Sequence, residues 1–214
     1  MRLVLSRLYV ILDAALTPRP TAECALELAD AGVRLLQYRG KSATARQLLQ
    51  TSRELAELLV PRAVTFFVND RPDVAFLSGA SGVHVGQDDL GAEAARLVVG
   101  PNKLLGISTH NLEQFEHAAR SSADYVALGP VFPTSSKENP DPVVGLDLLR
   151  RLRSRTDKPI VAIGGITLAR ASQVIEAGAD SVAVMSGILS APDPGERAAQ
   201  YLKTLEAAKH AAAV

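Results

Sequence analysis

The chain has one cysteine, no net charge and no apolar run long enough to cross a membrane. Cys24 is the single cysteine among 214 residues, which excludes an internal disulfide framework and indicates a reducing compartment. Lysine and arginine together number 23, as do aspartate and glutamate, so no overall field attracts nucleic acid or an anionic membrane. No segment approaches the roughly 18 consecutive apolar residues of a membrane-spanning helix. We therefore expect a cytoplasmic protein that binds neither nucleic acid nor membrane, while its formation of a homo-oligomer is left open.

The N-terminal segment, residues 1–16, superficially resembles a signal peptide. Arg7 interrupts its apolar run, Asp13 follows the run, and no clean small-residue cleavage site is present. We interpret this segment as a first β-strand, with a targeting segment as the alternative.

Short apolar runs alternate eight times with longer helical patterns. The runs are continuous and rich in Val, Ile and Leu, which is typical of strands in a parallel sheet covered on both faces. Strands are predicted at 8–12, 34–38, 65–69, 82–85, 104–108, 125–129, 160–164 and 181–185. Helices are predicted at 20–31, 43–59, 72–78, 92–98, 111–120, 145–154, 167–177 and 194–208. This pattern predicts an α/β fold, a (β/α)8 TIM barrel that forms a single domain over residues 1–214, with a doubly wound open sheet as the alternative.

Two carboxylates follow neighbouring strands of this predicted barrel. Asp70 comes after the third strand and Asp89 after the fourth. Loops that follow the strands build the active site of such a barrel, and two carboxylates on one rim can share a hard cation such as Mg²⁺. The alternative is that each aspartate caps the helix after it, since Asp is a favoured N-cap residue and Pro72 suits the first helical position.

Three polar side chains alternate at the end of the second strand. Gln37, Arg39 and Lys41 project to the same side of an extended chain. Burying them there is costly without a ligand or a partner, and their cationic groups suit a polyphosphate. An ion-pair network with Asp70 and Asp89 is the alternative.

Two later loops carry donors suited to phosphate. The loop at 129–145 contains a Thr-Ser-Ser-Lys run at 134–137, with a plain polar surface loop as the alternative. Gly164, Gly165 and Ser186 follow the last two strands, where barrels often bind phosphate through backbone N–H groups.

The four histidines differ in placement. His84 lies within a strand and is expected to pack in the core, His117 lies on a helix surface, and His210 belongs to the C-terminal tail. His110 follows the fifth strand and is the histidine placed for catalysis.

Seven segments together resemble one enzyme family. QYRGK, FVNDR, HVGQDDL, ISTH, GPVFPTSSK, AIGGI and AVMSG occur in this order between about residues 8 and 190. They are similar to thiamine-phosphate synthases, also called thiamine-phosphate pyrophosphorylases. The resemblance implies a Mg²⁺-dependent transferase with small-molecule substrates. It would join 4-amino-2-methyl-5-(diphosphooxymethyl)pyrimidine to a thiazole phosphate, giving thiamine phosphate and pyrophosphate.

The same resemblance implies roles for individual residues. The pyrimidine diphosphate would be bound by Gln37, Tyr38, Arg39, Gly40, Lys41 and Asn69. Asp70 and Asp89 would ligate Mg²⁺, while Ser108 and Lys137 would bind the pyrophosphate. The thiazole phosphate would be bound by Thr134, Ser135, Ser136, Gly165, Met185 and Ser186. Arg39, Ser108 and Lys137 are the expected catalytic residues. Gly40 and Ser136 depart from the family pattern, which commonly has an acidic or amide residue and a threonine there.

Two other functions remain as alternatives. A thiazole tautomerase paralogue would have the same fold and would use His110 as its acid and base, although it would not need the pair Asp70 and Asp89. A non-catalytic sensor of thiamine phosphate is the second alternative.

Overall fold

Eight parallel strands close into a barrel in the order of the sequence. The computed structural model describes residues 4–17, 19–134 and 141–208. The strands are β1 (Leu8–Asp13), β2 (Leu35–Arg39), β3 (Thr65–Asn69), β4 (Gly82–Val85), β5 (Leu104–Thr109), β6 (Tyr125–Leu128), β7 (Ile160–Ile163) and β8 (Ser181–Val184). Because β1 also pairs with β8, the sheet has no free edge. The predicted (β/α)8 barrel is confirmed, and the open-sheet alternative is excluded.

Helices cover the outside of the barrel. They are α1 (Thr21–Asp30), α2 (Ala45–Leu59), α3 (Pro72–Ser78), α4 (Ala92–Val99), α5 (Leu112–Arg120), α6 (Gly145–Arg153), α7 (Leu168–Glu176), α8 (Ser186–Leu189) and α9 (Pro194–Ala207). The short helix α8 and a 3₁₀ turn at Val60–Arg62 were not predicted from the sequence. The N-terminal apolar run forms β1, as expected. Within the described ranges, no helix is both long enough and apolar enough to span a membrane.

Two hydrophobic cores flank the sheet. The larger core lies between the strands and the helices, and the smaller one fills the barrel. Three rings pack inside the barrel, with Phe67 5.7 Å from Tyr9 and 5.6 Å from Tyr125 between ring centroids. Successive side chains of a strand alternate between these two cores. The strand ends therefore deliver alternate residues to the mouth of the barrel.

Candidate active site

A cavity of about 370 Å³ opens at the carboxyl ends of the strands. Eight of the predicted site residues line it: Gln37, Arg39, Asn69, Ser108, Thr134, Gly165, Met185 and Ser186. Its wall also includes His110, the histidine predicted to be placed for catalysis. Other wall residues were not among the predicted site residues: Ile11, His84, Asp141, Ile163 and Arg170. The post-strand loops therefore converge on one space, as a barrel active site requires.

The two predicted metal ligands lie close together beside this cavity. Burial and the neighbouring Asp70 carboxylate raise the pKa of Asp89. Asp70 has a positive φ of 64°, and its backbone N–H donates to the His84 carbonyl at 2.7 Å, which fixes its position between β3 and β4. Lys41 Nζ lies 2.7 Å from Asp70 Oδ2. A cation therefore already faces this acidic pair.

Neither aspartate caps the helix that follows it. Arg71 occupies the N-cap of α3 and Gly91 that of α4, and neither cap has a side-chain hydrogen bond. Asp89 Oδ2 instead accepts from the Gly86 backbone N–H at 2.7 Å within its own loop. The capping alternative is thus excluded for both carboxylates.

Asp70 and Asp89 could supply two of the oxygen ligands that Mg²⁺ needs. Among the described residues, no group of three or more His, Cys, Asp or Glu side chains could hold a metal ion. Mg²⁺ commonly binds one or two carboxylates and completes its octahedron with water and substrate phosphate oxygens. Two hard oxygen donors at the mouth of a cavity are the donor set that such an ion takes.

Arg39 has a partner that the sequence did not reveal. It forms an ion pair with Asp13 at the end of β1, and the two residues are register partners between β1 and β2. Asp13 is only 3% exposed and also accepts from the Ala15 backbone N–H at 2.8 Å. The expected ion-pair alternative is therefore found in part, because Lys41 pairs with Asp70 whereas Arg39 pairs with Asp13.

Three described members of the predicted substrate set, Tyr38, Gly40 and Lys41, do not line the cavity, and Lys41 lies beside Asp70 instead. Tyr38 is buried in the outer core, since it alternates with the inward-facing Gln37 and Arg39 along β2. Burial raises the pKa of its phenol, and Thr51 forms a hydrogen bond with it. A Cβ on Gly40 would lie 2.9 Å from the Tyr38 hydroxyl, so Gly40 leaves room for that ring.

His84 is both a buried residue and part of the cavity wall. One ring nitrogen, Nδ1, is 2.8 Å from the Tyr125 hydroxyl, and the other, Nε2, is 2.8 Å from Ser108 Oγ. Burial lowers the pKa of His84 to about 4, so the ring is neutral near pH 7. The expectation of a packed histidine was correct but incomplete, because the sequence pattern did not show its contact with Ser108.

His110, which follows β5, also lines the cavity. Its Nδ1 donates to the Gly129 carbonyl at 2.6 Å and lies 3.5 Å from Asp141 Oδ2. Its backbone N–H donates to Gln114 Oε1 at 2.7 Å, which holds the residue at the start of α5.

Glycines shape the side of the cavity formed by β7 and β8. Gly164 and Gly165 have φ values of 96° and 63°, which favour glycine. A Cβ on Gly165 would lie 2.3 Å from the Pro133 carbonyl oxygen, so the loop after β6 packs directly on this turn. Ser186, which also lines the cavity, begins α8 immediately after β8.

Arg170 adds a cation on this side that sequence reasoning missed. Its guanidinium carbon lies 4.8 Å from the centre of the Phe132 ring, and its Nη1 donates to the Gly165 carbonyl at 3.3 Å. The available signal was an arginine in the first turn of the helix after the double glycine. Ser135, Ser136 and Lys137 lie outside the described residues, so their roles stay predictions.

Comparisons with known proteins agree with the motifs. A family model described as thiamine monophosphate synthase matches residues 8–188. The thiamine-phosphate synthase of Koribacter versatilis (strain Ellin345) is 53% identical over 208 residues, covering 95% of this chain and 97% of the relative. That of Chloroflexus aurantiacus is 44% identical over 200 residues, covering 93% and 92%.

The fold of a solved relative is also similar. Thiamine phosphate pyrophosphorylase from Pyrococcus furiosus superposes with a TM-score of 0.86 at 35% identity, covering 94% of this chain and 96% of that one. The family and the function expected from the seven motifs are thereby confirmed. The chain belongs to the thiamine monophosphate synthase family.

Proposed function

We propose that this chain is a Mg²⁺-dependent, cytoplasmic thiamine-phosphate synthase. It joins 4-amino-2-methyl-5-(diphosphooxymethyl)pyrimidine to a thiazole phosphate and releases pyrophosphate. The observation that carries this proposal is a single cavity with two polar sides, one formed by β2–β5 and the other by β7 and β8. Such a cavity suits two phosphorylated substrates whose reacting ends meet in the middle.

The side formed by β2–β5 suits the diphosphate. Arg39, Asn69 and Ser108 line it, and Lys41 lies beside Asp70 at its rim. Asp70 and Asp89 would hold Mg²⁺ together with oxygens of the substrate. When bound, that ion would neutralise negative charge on the departing diphosphate. Arg39 and Lys41 would add positive charge at the same end, with Lys137 expected to join them.

The opposite side suits the thiazole phosphate. Gly165 and Ser186 lie on the cavity wall after β7 and β8, and Thr134 approaches from the loop after β6. Backbone N–H groups of glycine turns and hydroxyl groups are donors to phosphate oxygens. Arg170 brings a positive charge to this side, since it too lines the cavity.

The reaction requires charge stabilisation and positioning rather than a strong base. The bond between the pyrimidine methylene carbon and the bridging oxygen breaks, and its electron pair leaves with pyrophosphate. The pyrimidine amino group can delocalise the positive charge left on the methylene carbon. The thiazole nitrogen then forms the new bond with its own lone pair. Groups that hold the two substrates and stabilise the departing anion therefore suffice.

One observation favours the tautomerase alternative. His110 lines the cavity at the position expected for an acid–base histidine. A reaction that only moves a proton within a thiazole, however, does not need the acidic pair Asp70 and Asp89. Release of pyrophosphate separates the two functions, because a tautomerase produces none.

The direct test is incubation with the pyrimidine diphosphate, a thiazole phosphate and Mg²⁺, followed by assays for pyrophosphate and thiamine phosphate. We expect both products in equal amounts, and chelation of Mg²⁺ should stop the reaction. Asp70→Ala should lower kcat by roughly 10² or more, the scale for loss of one preorganised charge-stabilising element.

Asp88→Asn is the matched control for this test. Asp88 is an exposed carboxylate one residue before Asp89, so losing its charge should leave turnover within about twofold. Absence of pyrophosphate with both substrates present would refute the proposed reaction. An Asp70→Ala variant with more than half of the original turnover at saturating Mg²⁺ would refute the metal role.

A further inference from the structure

A chain of hydrogen bonds crosses the inside of the barrel and ends at the cavity. Gln37 Nε2 donates to the Tyr9 hydroxyl at 2.9 Å, and that hydroxyl is 3.1 Å from the Tyr125 hydroxyl. Tyr125 is 2.8 Å from His84 Nδ1, and His84 Nε2 is 2.8 Å from Ser108 Oγ. Residues of β1, β2, β4, β5 and β6 are thus joined by four consecutive contacts.

Gly106 of β5 makes room for these hydrogen bonds because it has no side chain. A Cβ on Gly106 would lie 2.0 Å from Tyr125 Cζ and 2.3 Å from its hydroxyl oxygen. Only glycine at this position of β5 lets the Tyr125 phenol pass across the strand toward His84. The Tyr125 and His84 rings stack at 23° with centroids 5.6 Å apart, so both rings are held in place by packing. Tyr9 and Tyr125 are 1% and 0% exposed, and water has little access to their hydroxyl groups.

The hydroxyl protons of Tyr9 and Tyr125 both find acceptors only if donation runs from Tyr9 to Tyr125 and on to His84. Gln37 donates to Tyr9, and the structure gives the Tyr9 hydroxyl no third hydrogen-bond partner among residues 4–17, 19–134 and 141–208. If Tyr125 also donated to Tyr9, the Tyr9 proton would be buried without an acceptor, which is costly. Tyr9 therefore donates to Tyr125, and the Tyr125 proton is free to go to His84 Nδ1.

This direction fixes the proton on His84 and, through it, the proton on Ser108. A neutral imidazole that accepts at Nδ1 carries its proton on Nε2, and that N–H donates to Ser108 Oγ. Ser108 then has no need to donate to His84, so its own proton is available to the cavity that it lines. We infer that Tyr125 is a positioning residue which, acting through His84, presents the Ser108 hydroxyl as a hydrogen-bond donor to the substrate anion.

The identity of that anion rests on the proposed function. Pyrophosphate offers only acceptor oxygens when it is fully ionised, so a serine that donates stabilises it, whereas a serine that donates to His84 would present lone pairs to it. The reverse chain would place the histidine proton on Nδ1. The two directions therefore differ in a property that can be measured without any substrate.

The test is ¹⁵N NMR of the histidine side chains in the full chain at neutral pH, with no substrate or metal added. Long-range ¹H–¹⁵N correlations distinguish Nδ1 from Nε2, and the signals that disappear in His84→Gln identify this residue among the four histidines. We expect the Nε2–H form, with Nδ1 accepting a hydrogen bond. An Nδ1–H form, or a doubly protonated ring, would overturn the inference.

Two phenylalanine variants isolate the contribution of each phenol. Tyr125→Phe keeps the ring but removes the donor to His84, so the Nδ1 resonance should move toward the position of a nitrogen that accepts no hydrogen bond. Tyr9→Phe removes a phenol oxygen from the same buried cluster but leaves Tyr125 able to donate to His84. It should therefore leave the His84 resonances nearly unchanged. Circular dichroism and thermal melts establish that both variants are folded.

Kinetics then test whether the chain acts through Ser108. Tyr125→Phe should lower kcat by about tenfold with little change in KM, the scale of one hydrogen bond to an anion. In a Ser108→Ala background the same change should have almost no further effect, because the proton that it positions is gone. A purely structural role for Tyr125 would give the same loss in both backgrounds and would contradict the inference. Failure to form thiamine phosphate would refute the proposed function, while the His84 tautomer would still be measured.

Discussion

In the absence of metal, replacing Asp89 by asparagine should stabilise the folded protein. The same substitution should weaken metal binding. The cause of the stabilisation is that burial and the adjacent Asp70 carboxylate raise the pKa of Asp89, so its ionised form is unfavourable in the folded chain. Asparagine keeps an acceptor oxygen for the Gly86 N–H, and its amide can donate to Asp70. The substitution therefore replaces a repulsion with a hydrogen bond.

The size of this effect follows from the exposure of the pair. Two like charges about 4 Å apart repel by roughly 4 kcal/mol at an effective dielectric constant near 20. Both carboxylates are partly exposed, and Lys41 offsets the charge of Asp70, so solvent screening reduces the expected gain to about 1 kcal/mol. In a chain of this length, that gain corresponds to a rise in Tm of about 2–4 °C.

Adding Mg²⁺ and pyrophosphate should make the original chain more stable than Asp89→Asn. Ligands at about 100 times their Kd stabilise a folded protein by about 2.7 kcal/mol, which is roughly 5–10 °C here. The original chain should gain this increment and Asp89→Asn little of it. Differential scanning calorimetry of both proteins, with and without the ligands, measures all four Tm values.

The stability advantage of Asp89→Asn over the original chain should increase with pH. Because the pKa of Asp89 is raised on folding, the folded chain retains a proton that the unfolded chain releases. The penalty for ionising Asp89 is therefore absent below the ordinary aspartate pKa of about 3.9 and fully present above the raised pKa. The advantage of Asp89→Asn should be largest near pH 8 and should shrink as the pH falls toward 4.

Asp88→Asn again serves as the control, since it removes a neighbouring exposed carboxylate. It should leave Tm within about 1 °C and keep the stabilisation by Mg²⁺ and pyrophosphate. If Asp89→Asn instead lowered Tm without metal by more than about 2 °C, Asp89 would be a structural anchor of its loop, and the reasoning would be refuted.

Two further substitutions test the barrel itself. Gly106→Ala places a methyl 2.0 Å from the Tyr125 ring and should lower the free energy of unfolding by about 1–3 kcal/mol in urea titrations. Gly91→Ala meets no atom within 4 Å and should cost only about 0.5 kcal/mol, the effect of alanine at the N-cap of α4. Arg39→Met leaves the 3% exposed Asp13 without its cation and should cost about 3–5 kcal/mol by the same assay. Adding Asp13→Asn should recover part of the Arg39→Met loss, and a double variant no more stable than the single one would show that the ion pair does not matter.

Much of the architecture could be predicted because the local patterns are consistent with one another. Continuous apolar runs, separated by amphipathic segments with glycines at their ends, leave few alternatives to parallel strands and outer helices. Parallel strands bring their carboxyl ends to one rim, so Asp70 and Asp89 could be placed together before any coordinates were known. The same reasoning placed Gly165 and Ser186 on the cavity wall.

Two of the three failures concern contacts between strands that no local sequence pattern encodes. Pairing of Arg39 with Asp13 depends on the register between β1 and β2, and the sequence reasoning used Asp13 only as the residue that follows an apolar run. Tyr38 was carried into the substrate set with its whole motif, although the alternation of Gln37 and Arg39 already implied that Tyr38 faces the other way. The contacts of His84 depend on a missing side chain one strand away, at Gly106.

The acidic pair at the ends of β3 and β4 is best tested by measuring metal binding itself. Mn²⁺, which substitutes for Mg²⁺ and is visible by electron paramagnetic resonance, would be titrated into the protein with saturating pyrophosphate. We expect one tightly bound ion per chain, and loss of that binding when Asp70 and Asp89 are both replaced by asparagine. Equal stoichiometry and affinity in the double variant would contradict the claim that these two aspartates hold the metal of the reaction.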